Sequence, residues 1–417
     1  MWIMWSNSVD SKDKNKNKTL STNILSIKHH FSNKVFPLMS FQLSSFALPW
    51  LATIWFTYKQ GLSEAGEFSF ALAIISPLTM LLASPSRNFI LTEYTSLPFA
   101  LRSRLLLMIF GIVIVLSFSS YFGAVLLFSS LFLFKITELL FDIPISIAVH
   151  KNQLKNLWLL SFSKWLIIAF LIVLAVFIAD IALLFVICAL CFVILVWLKT
   201  PENNRRGSFT QLFGVIKTSM PLGITALIFS LQFNIPRYVI GSAAEKELLA
   251  IYSISSFLIM GAVVLINVFI QAKLPIIKKI IQQQREKFKG EIFKLVAIAV
   301  IIYLSIQVAH FPVIAEIFWA AHNNVQQADL AYSELYQQIL WLAWGPIAFS
   351  LVNYFLMLSG QHKILLLLTS ANLIFTYIAC TLALQYAGVS LLLWAYNLGC
   401  ALQCVGTLVL FKYSDNS

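Results

Sequence analysis

Charged residues are scarce in this sequence. They make up 11% of the 417 residues, whereas hydrophobic residues make up 59% and the mean hydropathy is +0.85. A water-soluble domain usually carries about 25% charged residues, so this chain has too little polar surface to cover a globule in water. Apolar runs of about eighteen residues or more recur in blocks without strict alternation. This pattern indicates membrane-spanning helices and argues against a membrane β-barrel.

Motifs for catalysis, metal binding and nucleotide binding are also missing from the sequence. No nucleophile constellation, metal site or phosphate-binding glycine loop can be found, which argues against an enzyme and against ATP hydrolysis. Of the five cysteines, Cys188 and Cys191 form a CxxC without a histidine or acid nearby. We interpret the cysteines as small apolar packing residues and predict no disulfide framework, metal or other cofactor.

The hydropathy pattern predicts an all-α polytopic membrane protein with about twelve spanning helices, which the internal repeat described below divides into two six-helix lobes. We divide the chain into a disordered cytoplasmic tail (1–34), an N-terminal lobe (35–200), a cytoplasmic linker (201–212), a C-terminal lobe (213–411) and a second cytoplasmic tail (412–417). The predicted spans, numbered 1 to 12 in chain order, lie approximately at 35–57, 67–90, 104–121, 124–148, 157–178, 181–199, 213–240, 249–272, 292–314, 333–358, 364–386 and 388–411.

Basic residues give an independent test of this scheme. With the N-terminus inside, the cytoplasmic segments hold 23 of the 29 lysines and arginines, and the outer segments hold only Lys59 and Lys246. Such a bias is the positive-inside rule, and the omission of one span would destroy it. The net charge of +12 is therefore a topology signal and not a sign of nucleic-acid binding. We predict a multi-pass protein of the bacterial inner membrane with both termini in the cytoplasm.

The two halves of the chain also match each other weakly. A shift of 184 residues places Pro37-Leu38 on Pro221-Leu222, Gly66 on Ala250, and Phe68-Ser69 on Tyr252-Ser253. The matched residues hold the same positions in a two-helix unit. The match therefore predicts two lobes in the same orientation, related by an axis along the membrane normal, with a substrate site between them as in many secondary transporters.

Of the charged residues within the predicted spans, we select six as candidate functional groups, because a charge inside the bilayer costs about 2.5–3.5 kcal/mol even on a lenient insertion scale. Four are basic and are candidate contacts for an anionic substrate in a cationic cavity: Arg87, Lys135, Lys164 and Arg237. Two are acidic and are candidate carriers of a coupling proton or sodium ion: Glu138 and Asp142. Three neutral residues are candidate sugar contacts, or alternatively hydrogen-bonding links between helices: Asn234, Asn267 and Gln271.

Each charged group also has a purely structural interpretation. Lys135 and Glu138 are three residues apart and can neutralise each other within span 4. The side chains of Arg87 and Lys164 can extend along the helix to the inner headgroups, and Arg237 can anchor span 7 at the outer interface. The functional interpretation is that arginine and lysine side chains bind a diphosphate at several depths, since the guanidinium fork suits phosphate oxygens.

Four segments resemble polysaccharide repeat-unit flippases (Wzx-type) of the multidrug/oligosaccharidyl-lipid/polysaccharide (MOP) exporter superfamily. AGEFSFALAIISPLTMLLASPSRNFILTE (65–93) resembles their second helix. PLGITALIFSLQFNIPRYVIG (221–241) and AIYSISSFLIMGAVVLINVFIQAKLPIIKK (250–279) are similar to helices 7 and 8, and GPIAFSLVNYFLMLSGQHK (345–363) lies in the region similar to the last three helices.

The resemblance implies a V-shaped pair of bundles around a central cavity and an undecaprenyl-diphosphate-linked oligosaccharide as substrate. Membrane lipids, a polysaccharide polymerase and chain-length proteins are the partners it implies. One alternative is a cation-coupled multidrug antiporter of the same superfamily, although span 1 lacks the Asp or Glu that we would expect there. A second alternative is a membrane polysaccharide polymerase or glycosyltransferase, and a third is a structural membrane protein.

Overall fold

The computed structural model describes most of the chain after residue 35. The described residues are 36–82, 107–117, 125–150, 153–178, 180–199, 209–243, 245–283, 285–308, 328–358 and 362–414. In these ranges every regular element is helical. The helices, named α1 to α13, are 36–59, Leu62–Leu82, Leu107–Ser117, Val125–Leu140, Asp142–His150, Leu154–Phe177, Ile181–Lys199, Phe209–Ser242, Lys246–Gln283, Arg285–Gln307, Ala328–Trp341, Trp344–Leu358 and His362–Ser414.

Each predicted span coincides at least in part with a helix, and three breaks refine the predicted boundaries. Span 4 consists of α4 and α5, which are separated at Phe141, and span 10 consists of α11 and α12, which are separated at residues 342–343. Spans 11 and 12 together form α13, which is broken at Gly388, where φ is 76°. This positive φ is a conformation that glycine adopts without steric cost, so Gly388 provides the tight turn between the two spans.

The hydropathy of the described helices supports a multi-pass membrane protein. Five segments within the described ranges are long and apolar enough to cross a bilayer: Leu62–Leu82, Leu154–Phe177, Lys246–Ile270, Glu334–Val352 and Ile364–Leu410. Many large apolar side chains on their outer faces are exposed, among them Phe170, Val176 and Leu367. In a membrane these faces contact lipid and need no protein partner.

The buried apolar residues form two clusters. The N-terminal cluster is built mainly from α1 to α7, and the C-terminal cluster from α8 to α13. Stacked and edge-on phenylalanines fill the N-terminal cluster, with Phe68 between Phe56 and Phe185 at centroid distances of 5.0 and 5.9 Å. We call the two parts of the molecule the N-terminal half and the C-terminal half.

The two halves contact each other through α2, which packs against α8 and α9. Gly66 of α2 lies against the backbone of Lys246 at the start of α9; a Cβ on this glycine would lie 2.0 Å from the Lys246 carbonyl oxygen. The Lys246 ammonium pairs with Glu67, and the Tyr238 hydroxyl donates to the Ala73 carbonyl at 2.6 Å. These contacts hold the halves together at the end of the molecule that carries Gly61 and Ala243.

Candidate functional site

Three of the predicted intramembrane charges of the N-terminal half, Lys135, Glu138 and Lys164, lie together. Lys135 Nζ lies 3.0 Å from Glu138 Oε2, and Lys164 Nζ lies 2.7 Å from Glu138 Oε1. Each carboxylate oxygen therefore receives one ammonium group. The ion pair between Lys135 and Glu138, which their i, i+3 spacing within α4 predicts, is present. Lys164 of α6 is a second partner of the same carboxylate.

Lys164 is deeply buried, with 1% of its side chain exposed. Its ammonium group also donates to the Ser45 hydroxyl of α1 and lies 4.3 Å from the centroid of the Phe41 ring. Because the ammonium group is enclosed by protein, the interpretation that Lys164 extends along its helix to the inner headgroups is wrong. Lys135 is more accessible, with 17% of its side chain exposed.

The remaining predicted residues of the N-terminal half have different positions. Asp142 begins α5 after the break at Phe141, so it is not part of the same continuous helix as Glu138. Arg87 lies outside the described residues. The substrate-binding and coupling roles of these groups stay predictions.

Arg237 occupies the interior of the C-terminal half, near the second proline of α8. Only 6% of it is exposed, so the side chain is not the interfacial anchor that one interpretation suggested. Its Nη1 donates to Asn234 Oδ1 at 2.7 Å, and its Nη2 donates to Ser256 Oγ of α9 at 3.0 Å. Among the described residues no carboxylate forms an ion pair with Arg237, and its Nε has no hydrogen-bond partner there.

A small cavity of about 20 Å³ opens beside this guanidinium, which is room for about one water molecule. Its walls combine aromatic rings with polar groups, including Phe233, Tyr252, Tyr396 and Asn397. Asn397 Oδ1 is buried without a hydrogen-bond partner in the described part of the chain. Arg237 and Asn397, which both line the cavity, thus each have a buried polar atom without a partner among the described residues: the donor Nε and the acceptor Oδ1.

Two of the three neutral candidates, Asn234 and Asn267, make hydrogen bonds within the helix bundle. Asn234 receives Arg237 Nη1 and donates its own Nδ2 to the Ser230 carbonyl at 2.7 Å, so it orients the arginine. Asn267 Oδ1 accepts from Ser350 Oγ at 2.9 Å and joins α9 to α12. Gln271 lies in α9, but its side chain is outside the described part. Their roles as sugar contacts stay predictions.

Sequence reasoning missed the partners that surround the charges. Ser45 and Phe41 contact Lys164, and Tyr252, Tyr396 and Asn397 line the Arg237 cavity. A faint signal was present for Asn397, because an amide in an apolar span is uncommon and usually hydrogen-bonded. Serines and aromatic residues are too frequent in membrane helices to give such a signal.

No protein-family model matches the chain, and no curated protein matches it. Solved structures do match its fold. An inward-facing multidrug resistance MATE family transporter of the MOP superfamily is 13% identical with a TM-score of 0.61, covering 91% of this chain and 93% of that one. An outward-facing structure of such a transporter is 15% identical with a TM-score of 0.64, covering 93% and 96%.

A third similar structure is a MOP superfamily transporter from Pyrococcus furiosus, with 14% identity, a TM-score of 0.65, and coverage of 93% of this chain and 95% of that one. At these identities the likeness concerns the fold. The chain therefore has the polytopic all-helical fold of MATE transporters of the MOP superfamily, as the sequence predicted.

Proposed function

We propose that this protein is a flippase that moves an undecaprenyl-diphosphate-linked oligosaccharide repeat unit from the inner to the outer leaflet of a bacterial inner membrane by alternating access. The observation that carries the proposal is Arg237, a buried guanidinium on a cavity with no carboxylate partner among the described residues. An uncompensated cation within a membrane is costly. A diphosphate would compensate it once alternating access widens the site, since the cavity in this structure has room for only about one water molecule.

The balance of intramembrane charge supports an anionic substrate. Among the charged site candidates in the described spans, three are basic, Lys135, Lys164 and Arg237, and two are acidic, Glu138 and Asp142. Glu138 is already engaged by two ammonium groups, so it offers no free charge to a cationic drug. The transporter is not expected to need an enzyme site, a metal or another cofactor.

The alternative is a cation-coupled multidrug antiporter. Two of the similar structures are multidrug resistance transporters, which is the observation that favours it. For the Pyrococcus furiosus protein, however, a reverse polarity of the binding pocket suggests a different function. By the same reasoning, the positive charge at Arg237 favours an anionic substrate here.

We extend the proposal to the membrane orientation and the partners. Both termini lie in the cytoplasm, and the contact between Gly66 and Lys246 then lies on the outer side. A polysaccharide polymerase and chain-length proteins receive the product. Coupling to a proton or sodium ion through Glu138 or Asp142 remains part of the proposal, with consumption of the substrate outside as the alternative driving force.

Complementation tests the flippase proposal. A host deleted for its own repeat-unit flippase and supplied with the cognate glycan pathway should regain surface polysaccharide when it expresses the wild-type chain. We expect Arg237→Gln to lower the polymer by about tenfold or more, equivalent to at least about 1.4 kcal/mol of lost interaction. Glutamine keeps a hydrogen-bond donor for Asn234 but removes the charge.

Lys59→Gln is the matched control, since it removes one basic charge from an exposed position at the end of α1. It should leave the polymer unchanged at the same membrane level. Failure of the wild-type chain with its cognate pathway, together with efflux of a cationic dye, would support the antiporter. Equal activity of Arg237→Gln and Lys59→Gln would remove Arg237 from the site.

A further inference from the structure

Helix α13 carries a line of buried polar side chains on each side of its break at Gly388. Before the break, Thr369, Asn372 and Thr376 fall within an arc of about 60° on one helix face. After the break, Asn397, Gln403 and Thr407 share a broader face, and all six residues are at most 8% exposed. Together with Gln232 of α8 they form what we call the polar seam.

The two halves of α13 meet along this seam. Gln403 Nε2 donates to Thr369 Oγ1 at 3.0 Å, and Gln232 Nε2 donates to Thr376 Oγ1 at 3.2 Å. Gly399 makes the close approach possible, because a Cβ there would lie 2.2 Å from Thr376 Oγ1. These bonds fix the seam but use only part of its hydrogen-bonding capacity.

Several atoms of the seam are buried without a hydrogen-bond partner in the described residues: Asn372 Nδ2, Thr407 Oγ1, Gln232 Oε1 and Asn397 Oδ1. Arg237 Nε, across the cavity that Asn397 lines, shares this property. Buried polar atoms in proteins almost always bond to protein or to ordered water. The seam therefore indicates a ligand that can reach each of these atoms.

The chemistry of the atoms identifies this ligand. Asn372 Nδ2 and Arg237 Nε are donors, Gln232 Oε1 and Asn397 Oδ1 are acceptors, and a hydroxyl can act as either. A metal cation does not suit the donors, an anion does not suit the carbonyl oxygens, and a sugar is too large for such buried positions. Water serves both kinds of group and needs little space.

We propose that the polar seam binds a chain of water molecules that runs from Thr407 to the Arg237 cavity. Ten residues separate Asn397 from Thr407, which corresponds to about 15 Å of helix. Thr407 lies towards the end of α13 near the C-terminus, so the chain leads from that end of the molecule to the guanidinium. The hydrated Arg237 keeps its charge within the membrane, and under the proposed function substrate oxygens replace this water.

Hydroxyl-radical labelling tests the water chain on the native protein in lipid nanodiscs. X-ray radiolysis converts bound water into radicals that oxidise neighbouring side chains, and cysteine is readily oxidised. Cys380 and Cys400 lie beside the seam on α13, and both are fully buried. We expect mass spectrometry to show that they are oxidised several times faster than Cys188, which is equally buried in the N-terminal cluster.

A double variant, Asn372→Leu with Thr407→Val, removes two of the groups that would hold water. Oxidation of Cys400 should then fall to the rate of Cys188. Equally slow oxidation of Cys188, Cys380 and Cys400 in the wild-type protein would overturn the proposal and leave the seam as dry hydrogen-bonded contacts between helices. The wild-type comparison decides the question even if the variant does not fold. Because labelling requires no transport, its outcome is separate from that of the flippase proposal.

Discussion

At the residue scale, the arrangement around Glu138 shows how a membrane core tolerates three charges. A buried ion pair gains stability only when good geometry and further hydrogen bonds offset the loss of solvation. Glu138 has one lysine on each carboxylate oxygen, and Lys164 has a serine hydroxyl and an aromatic face in addition. Removal of one charged group therefore leaves another buried charge without a partner, which destabilises the protein.

Glu138→Gln should destabilise the protein by about 3–5 kcal/mol, because it leaves Lys164 buried without an opposite charge. The double variant Glu138→Gln with Lys164→Met should recover most of this loss, since neither member of the buried pair then carries a charge that needs a partner. Thermal unfolding of the purified variants measures both effects.

Transport by the same double variant separates structure from coupling. Recovery of stability without recovery of polymer would support a role in transport for the pair, with coupling by Glu138 assigned only if Lys164→Met alone still transports. Recovery of both would assign the acid a purely structural role, and the proposed coupling would have to rest on Asp142 or be abandoned.

The sequence revealed part of this cluster. The charges of Lys135 and Glu138 and their pairing follow from identity and i, i+3 spacing within one helix. The contact between Glu138 and Lys164 does not follow, because it depends on how α4 and α6 are rotated towards each other. Ser45 lies in a third helix, and nothing in the sequence around it indicates that its hydroxyl accepts a hydrogen bond from Lys164.

At the element scale, the ends and breaks of helices divide into predictable and unpredictable ones. The turn at Gly388 coincides with a predicted boundary, because glycine supplies the positive φ that the chain needs there. The breaks at Phe141 and at residues 342–343 interrupt apolar runs whose hydropathy is continuous. Each break lies three or four residues before a proline, Pro144 or Pro346, which lacks a backbone donor and crowds the preceding turn. Pro77 and Pro236 leave their helices continuous, so neither hydropathy nor proline alone predicts which runs break.

The contact between α2 and α9 depends on the missing side chain of Gly66. We expect Gly66→Ala to force the two helices apart at this end, since its Cβ would meet backbone atoms of Lys246 that cannot move aside. The separation can be measured by replacing the paired residues with cysteines, Glu67→Cys and Lys246→Cys. The disulfide between them should form more slowly when Gly66→Ala is also present.

Gly214→Ala is the control for this prediction, because it also adds a methyl group to a helical glycine but meets no atom within 4 Å. It should leave the cross-linking rate unchanged. An unchanged rate in Gly66→Ala would mean that the contact at this end does not hold the two halves together.

At the scale of the whole molecule, the weak internal repeat corresponds to matched positions in the structure. Phe68 and Tyr252 are both buried, as are Ser69 and Ser253. Both serine hydroxyls lack a hydrogen-bond partner among the described residues. Their helices, α2 and α9, both take part in the contact between the two halves. The fold class could be predicted because the spacing of apolar runs extends over the whole chain. The identity of the substrate could not be predicted, because it depends on a few side chains whose neighbours come from distant helices.

The proposed orientation of the whole chain rests on the distribution of its basic residues, because lysine and arginine near span ends are retained on the cytoplasmic side. A green fluorescent protein fused after Ser417 should therefore fluoresce. Alkaline phosphatase should be active when fused after Gly61 or Asp180, which lie between predicted spans on the outer side, and inactive after Gln153.

The inverse pattern would reverse the membrane orientation and place the Gly66 contact on the cytoplasmic side. Activity after Gly61 but not after Asp180 would show that the number of spans between them is odd, and the twelve-span topology would then be wrong.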